Sequence, residues 1–128
     1  MSDNTSNPKP AQSYRELIAW QKGMLLAKSI YRLTAKFPNE EKFGLISQMR
    51  RAAVSIPSNL AEGQARRTSG EFVQFISHAE GSVAELDTQL ALSIELAFCS
   101  KSQAAEADGL IHELRKMLNA LWRSVSNS

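Results

Sequence analysis

The segment over residues 48–63 constrains the fold more than any other part of the chain, because helical spacing continues through a proline. Apolar residues recur there at intervals of three and four, which places them on one side of a helix: Leu45, Met49, Ala52, Ala53, Ile56, Leu60 and Gly63. Pro57 lies within the pattern, where it removes a backbone donor and costs about 3 kcal/mol in an ordinary helix. The unbroken spacing favours one continuous helix, kinked at Pro57. Two short helices that meet at Pro57 are the alternative.

A polar stripe runs beside this apolar face. Its members also follow at intervals of three and four: Gln48, Arg51, Ser55, Asn59, Glu62 and Arg66. We predict that four of these residues are structural and are buried at a helix contact or a subunit contact: Gln48, Ser55, Asn59 and Glu62. Buried amides without partners cost roughly 1–3 kcal/mol, so these side chains should be hydrogen-bonded. The full set predicted to be structural or interfacial is Gln48, Arg51, Ser55, Pro57, Asn59, Glu62, Gly63 and Gly81.

The rest of the chain predicts three more amphipathic helices and no strands. A residue or pair typical of a helix N-terminus precedes each predicted helix: Ser13 with Glu16, Asn39, Thr68 with Glu71, and Ser100. The helices are expected over residues 14–36, 40–66, 69–97 and 100–124. Four long helices with short connections predict an all-α, antiparallel up-down-up-down four-helix bundle, with its second helix kinked at the proline.

Two features of these helices suggest additional contacts. Helix one carries two neighbouring apolar stripes, a wider face than one bundle core needs: Leu17, Trp20, Met24, Ala27, Tyr31 and Thr34, and Leu26, Ile30, Leu33 and Phe37. A partner subunit and deep embedding within the monomer are both open explanations.

Gly81 lies in the middle of helix three, where glycine costs roughly 1 kcal/mol relative to alanine. We therefore expect another helix to approach Gly81 closely.

Length and composition indicate one domain. The 128 residues, of which 43% are apolar, suffice for one hydrophobic core. We expect the bundle over residues 13–125, between a disordered tail at residues 1–12 and a short tail at residues 126–128. The single cysteine, Cys99, excludes an internal disulfide and fits a reducing cytoplasm. No apolar run approaches the roughly 20 residues that span a bilayer.

The net charge of +2 hides an asymmetry between the two halves of the chain. Residues 1–68 carry 11 Lys and Arg against 5 Asp and Glu, whereas residues 69–128 carry 4 against 8. The basic half could attract phosphate groups, and the acidic half could meet the basic half of a neighbouring subunit.

The sequence has no arrangement typical of an enzyme or a metal site. Four-helix bundles that hold two iron ions use Glu-x-x-His pairs on two helices, but neither His78 nor His112 has an acidic residue three positions earlier. The phosphate-binding loop, the dinucleotide-binding motif and the Gly-x-Ser-x-Gly motif are absent. We therefore expect no catalytic residues, no metal and no cofactor. Ser55 and Ser58 are expected to bond backbone carbonyls that Pro57 leaves unpaired.

Basic residues on the first two helices are the candidate phosphate contacts. Lys22, Arg32 and Lys36 cluster on the polar side of helix one. The full set predicted to bind nucleic acid is Lys22, Arg32, Lys36, Arg50, Arg66 and Arg67. Solvated surface cations are the alternative explanation. The sequence has no motif in which basic and aromatic residues alternate, as they do in proteins that bind single strands. Specific base recognition is therefore not expected.

Several sequence blocks resemble those of one bacterial family. The central block reads Gln48, Arg50-Arg51, Ala52-Ala53, Ser55-Ile56-Pro57-Ser58-Asn59, Ala61-Glu62-Gly63 and Arg66-Arg67. Flanking blocks lie at residues 17–21, 31–34, 37–38, 80–82 and 85–86. Together they resemble the four-helix-bundle proteins encoded in intervening sequences of 23S rRNA genes, and the accessory proteins of diversity-generating retroelements are similar. The resemblance covers residues 14 to about 124 and implies a helical bundle without catalytic residues. It also implies a ring-shaped homo-oligomer, for which pentamers are known in the family, and a suspected role in nucleic-acid binding.

Two functions follow as hypotheses. The first is a non-enzymatic accessory module that binds RNA or DNA through its phosphates, with a ring multiplying weak contacts. The second is a protein-interaction scaffold that docks a partner protein, such as a reverse transcriptase, without binding nucleic acid. The low net charge of +2 favours the second hypothesis.

Overall fold

The chain folds as the predicted all-α four-helix bundle. The computed structural model describes residues 13–127, and the described part contains no strand. The helices are α1 (Ile18–Thr34), α2 (Leu45–Gln64), α3 (Ser69–Glu95) and α4 (Lys101–Ser126), with 3₁₀ turns at Tyr14–Glu16 and Asn39–Glu41. The tail predicted at residues 1–12 lies outside the described residues, as does Ser128.

Consecutive helices are neighbours in the bundle. Helix α1 packs against α2 and α4, and α3 packs against the same two helices. Within residues 13–127 the backbones of the diagonal pairs α1–α3 and α2–α4 do not approach within 8 Å between Cα atoms. Helices α2 and α3 run antiparallel, because Arg66 lies over Phe75 at one end and Ser93 contacts Met49 toward the other. This is the up-down-up-down arrangement that the short connections predict.

The core is formed by the stripes that the sequence spacing predicts. All the apolar residues predicted for the inner face of α2 are buried. In α1 the second stripe is buried throughout, whereas Tyr31 of the first stripe is exposed. In α3 and α4 the fully buried large side chains are Ile76, Val83, Leu86, Leu90, Ile111, Leu114 and Leu118.

Helix α2 continues through Pro57 without a break, so the continuous-helix prediction is confirmed and the two-helix alternative is wrong. Pro57 is buried against Gly23 of α1, where an added Cβ atom would lie 3.3 Å from the proline Cδ. The Ser55 hydroxyl donates to the Ala52 carbonyl at 2.8 Å. The carbonyl that loses its donor at Pro57 is that of Ala53, four residues earlier, so this bond is not the predicted one to a carbonyl left unpaired by the proline. The bond predicted for Ser58 stays a prediction. The kink at Pro57 stays a prediction.

Two helices start later than predicted. Ser13 and Glu16 form the predicted capping box, but it caps the 3₁₀ turn, because Leu17 has an extended backbone and α1 begins only at Ile18. Asn39 likewise starts a 3₁₀ turn. Helix α2 begins at Leu45, whose backbone N–H donates to the Glu41 carboxylate at 3.2 Å. Thr68 and Ser100 cap α3 and α4 as predicted.

The close helix approach predicted at Gly81 occurs at Gly63 instead. A Cβ atom at Gly63 would lie 2.6 Å from Phe75 Cβ, so α2 and α3 meet there at a distance that only glycine permits. Nothing lies within 4 Å of the corresponding position at Gly81. Gly81 is exposed because it faces outward between the inward-facing residues Ala79 and Val83. A contact between Gly81 and a partner subunit stays a prediction.

Candidate nucleic-acid interface

The predicted basic strip on α1 faces carboxylates of α4. Lys22 Nζ lies 3.0 Å from Glu113 Oε2, and Arg32 Nη2 lies 3.0 Å from Glu106 Oε1. Two cations of the basic first half are therefore paired with carboxylates of the acidic second half within one protomer. The sequence could not show this pairing, because the partners lie more than 70 residues apart along the chain.

Glu106 stays ionised at the centre of this seam. A hydrogen bond from the Ser29 side chain, followed by the hydrogen bond from Arg32, lowers the pKa of the Glu106 carboxyl below its ordinary value of 4.5. Lys36 lines the same shallow depression as Arg32, Gln103 and Glu106. The α1/α4 seam thus holds predicted phosphate contacts beside the Glu106 carboxylate, which is negatively charged at neutral pH.

Arg50 has a structural role at the end of α1. Its Nε–H donates to Thr34 Oγ1 at 2.9 Å, and its Nη2 donates to the Tyr31 carbonyl at 3.3 Å. The Tyr31 carbonyl also accepts the backbone N–H of Ala35 at 3.1 Å, so the guanidinium adds a second donor there and links α2 to the last turn of α1. The guanidinium carbon also lies 4.5 Å from the centroid of the Tyr31 ring. This pair fixes one wall of a groove between α1 and α2.

Arg66 and Arg67 lie at the other end of α2. Both are exposed at the turn into α3, and the Arg66 guanidinium lies 4.7 Å from the centre of the Phe75 ring. They follow Arg50 by about 16 positions, which corresponds to roughly 24 Å along a helix. The six cations predicted from the sequence therefore do not form one site.

The groove between the end of α1 and the outward face of α2 is the candidate interface. It has a volume of about 700 Å³ and is lined by Tyr31, Lys42, Phe43, Ile46, Ser47, Arg50, Arg51, Val54, Ser55 and Ser58. Three of these residues are cations and none carries a carboxylate. Two aromatic rings face solvent in it, since Phe43 is 90% exposed and Tyr31 is 44% exposed. We call it the α1/α2 groove.

The connection before α2 positions the exposed ring. The chain leaves the Asn39–Glu41 turn and reaches α2 only after Gly44, so Phe43 lies outside both elements. Phe37 and Leu45 on either side are buried and fill the adjacent core. The Lys42 Nζ atom lies 5.6 Å from the centroid of the Phe43 ring.

Sequence reasoning missed four of the groove residues. It gives no role to Lys42 and Phe43, it places Tyr31 in an apolar stripe of helix one, and it predicts a structural role for Arg51. The available signal was Phe43 itself, a large aromatic residue that departs from the apolar spacing of α2. The sequence has no interleaved basic–aromatic motif, but the fold brings basic and aromatic residues together from α1, the connection and α2. That bases are not recognised specifically stays a prediction.

Comparison with known proteins assigns the chain to a family. A sequence model described as "23S rRNA-intervening sequence protein" matches residues 15–120. The chain belongs to this family. Its fold is similar to a crystal structure of a protein of unknown function, from the S23 ribosomal protein family, of Bacteroides thetaiotaomicron. The two share 19% identity with a TM-score of 0.74, over 82% of this chain and 98% of that one. No curated protein matches the chain.

The polar stripe of α2 divides into two groups. Ser55 and Asn59 are half-buried, the Ser55 hydroxyl is hydrogen-bonded to that of Ser82 on α3, and Asn59 Nδ2 donates to the Ser55 carbonyl at 2.8 Å. Gln48 and Glu62 are exposed on the protomer, as are Arg51 and Arg66. For Gln48 and Glu62, burial at a helix contact within the protomer is wrong, and a subunit contact stays a prediction.

The remaining reactive groups of this family member are dispersed. Among the described residues no three His, Cys, Asp or Glu side chains lie close enough to hold a metal ion. Cys99 is buried, and burial raises the pKa of its thiol. His78 is exposed beside the Phe75 ring. None of the helices within residues 13–127 has an apolar stretch that could cross a bilayer.

Proposed function

We propose that the protein is a non-enzymatic, cytoplasmic accessory module that binds RNA or DNA through the α1/α2 groove. The observation that carries the proposal is the charge of this groove, which presents three cations and no carboxylate. Contacts to phosphate oxygens from Lys42, Arg50 and Arg51 would tolerate any sequence and would depend steeply on salt.

The contrast with the α1/α4 seam supports the choice of the groove. A phosphate approaching Lys22 or Arg32 meets the negative charge of a carboxylate that already lies 3.0 Å from the cation. In the groove, Arg51 is exposed and Arg50 keeps its guanidinium at the surface of the Tyr31 ring. Binding there requires no ion pair to break. The affinity gained when the nucleic acid releases its counterions is therefore not reduced by the loss of an ion pair.

We further propose that the protein acts as a ring-shaped homo-oligomer, for which a pentamer is the expected size. Three cations in one groove make a weak site, and several linked sites raise the apparent affinity without new contacts. Exposed apolar residues on one face of α1 support self-association, since Ile18 is 63% exposed and Leu25 is 46% exposed. They lie seven positions apart, hence on the same side of the helix.

A salt titration with labelled RNA and duplex DNA tests the groove. The variant Lys42→Gln/Arg51→Gln removes two groove cations, and Lys22→Gln/Arg32→Gln is the matched control because it removes two cations from the seam. We expect the groove variant to lose at least about tenfold in affinity at low salt, with a salt slope flatter by about 1.4 on single strands. The seam variant should bind like the wild type.

Two outcomes would overturn the proposal. Equal losses for the two variants would show that total charge, not the groove, determines binding. Absence of wild-type binding to either polymer at low salt would reject nucleic acid as a ligand. The second outcome would favour a protein-interaction scaffold that docks a partner such as a reverse transcriptase. Exposed Leu92 and Leu96 on α3 support that second candidate, because neighbouring apolar residues in water are typical of protein contacts.

A further inference from the structure

The side chain of Phe43 has no role in the fold. It is 90% exposed and does not belong to the buried core, although its neighbours Phe37 and Leu45 do. Burying a phenylalanine side chain stabilises a structure by roughly 1.5–3 kcal/mol, so the isolated protomer forgoes that gain. Its ring is therefore available to a ligand.

The surroundings of Phe43 determine which ligand fits. Lys42, Arg50 and Arg51 attract an anion, and among the groove residues no acidic side chain opposes them. A volume of about 700 Å³ lies within the usual range of ligand pockets. An anion that is also flat and aromatic would satisfy both the cations and the exposed ring. Unpaired nucleotides have this chemistry, whereas a duplex keeps the faces of its bases stacked and out of reach.

The second aromatic residue of the groove is not equivalent to Phe43. The Arg50 guanidinium lies 4.5 Å from the centroid of the Tyr31 ring and is held there by its bonds to α1. One face of Tyr31 is therefore occupied, and the pair forms a fixed wall. Phe43 lies near the flexible Lys42 side chain, whose ammonium group can move to a phosphate when a base stacks on the ring.

We infer that the α1/α2 groove takes a single-stranded segment of RNA or DNA, with one unpaired base stacked on Phe43 and adjacent phosphates on Lys42 and Arg51. This inference rests on the proposed function and specifies its substrate. Stacking on an aromatic ring tolerates every base, so the site selects for strandedness and not for sequence.

The test compares a 10-nucleotide oligo(U) with a hairpin duplex of the same total charge, read by fluorescence anisotropy. Phe43→Ala removes the ring, Phe43→Trp restores a stacking surface, and Trp122→Ala is the control because it removes an exposed aromatic ring from α4, outside the groove. We expect Phe43→Ala to weaken oligo(U) binding by roughly 5- to 150-fold while the salt slope is unchanged. Phe43→Trp should restore oligo(U) binding, Trp122→Ala should bind oligo(U) like the wild type, and duplex binding should not change.

The variants separate this inference from the proposal on which it rests. If Phe43→Ala leaves oligo(U) binding intact while Lys42→Gln/Arg51→Gln abolishes it, the groove binds phosphate and the stacking inference is wrong. A hairpin bound more tightly than oligo(U) would also overturn the inference. If the wild type binds neither polymer, the proposed function itself fails. Thermal melts should show the two Phe43 variants and Trp122→Ala folded, because Phe43 and Trp122 are exposed.

Discussion

Helix α1 meets its two neighbours through contacts of different kinds. Against α2 the contact depends on shape, since the missing side chain of Gly23 leaves room for Pro57. At the same contact, Arg50 of α2 donates hydrogen bonds to the last turn of α1. Against α4 the contact carries ion pairs at its solvent-exposed edge, where Lys22 and Arg32 are each paired with a glutamate. The first contact leaves cations available at its edge, whereas the second neutralises them. A count of basic residues therefore does not locate a binding surface, because what matters is which side chain lies opposite.

The largest effect is expected where α1 and α2 approach most closely. Gly23→Leu places carbon atoms into Pro57, and overpacking of this kind costs about 1–3 kcal/mol. Gly109→Leu in α4 is the matched control, since nothing lies within 4 Å of its Cβ position. Replacing a helical glycine in open space should be neutral or stabilising by up to about 1 kcal/mol. Urea denaturation measures both, and equal effects would show that shape does not determine the α1/α2 contact.

A smaller loss is expected from Arg50. Arg50→Gln removes two hydrogen bonds at the end of α1, and a hydrogen bond contributes about 0.5–1.5 kcal/mol. We expect a loss of about 1 kcal/mol in the free energy of unfolding, together with weaker nucleic-acid binding. Arg51→Gln is the control for stability, because Arg51 is exposed on the outward face of α2. If the two variants are equally stable, the hydrogen bonds of Arg50 do not stabilise the end of α1.

The ion pairs on the α4 side should contribute least to stability. Lys22 and Glu113 are 30% and 51% exposed, and such pairs contribute at most about 0.5 kcal/mol, less in high salt. Lys22→Gln is expected to lower the free energy of unfolding by no more than that, and Lys28→Gln on the same helix serves as a control. A loss above 1 kcal/mol at 0.5 M salt would mean that charge holds α4 in place after all.

The seam should also be visible in the titration of Glu106. Its pKa is lowered first by Ser29 and then by Arg32, so the stability it contributes is present above pH 4.5 and is lost as the pH falls through the lowered value. Carbon-13 NMR of the carboxyl group should give a pKa below 4.5 in the wild type, and Ser29→Ala should raise it. An unchanged titration in Ser29→Ala would remove Ser29 from this role.

The fold was predictable because it depends on spacing within single helices. The apolar residues of α2 repeat every three or four positions, and all of them are buried. The helix starts were less predictable, since Ser13 caps a short 3₁₀ turn instead of α1, and Asn39, predicted to cap helix two, lies within a 3₁₀ turn whose N-cap is Pro38. Gly81 misled because a glycine within a helix indicates either a close approach or an open surface, and the local sequence is the same in both cases.

The candidate site was less predictable because it depends on pairs that are distant in sequence. The pairing of Arg32 with Glu106 and of Lys22 with Glu113 connects the two ends of the chain. The groove combines Tyr31 with Phe43 and Arg51, which belong to different elements and to different predicted roles. Only Arg50 of the predicted nucleic-acid residues lies in it. Charge and periodicity along the chain do not contain this information.

Lysine footprinting tests the central claim most directly, because the chain carries a lysine on each surface. Lys42 lies in the α1/α2 groove, Lys22 on the α1/α4 seam and Lys116 on the outside of α4. Acetylation is read by mass spectrometry with and without saturating oligo(U). We predict that oligo(U) protects Lys42 and leaves Lys22 and Lys116 as reactive as in the free protein. Protection of Lys22 with unchanged reactivity at Lys42 would contradict the account.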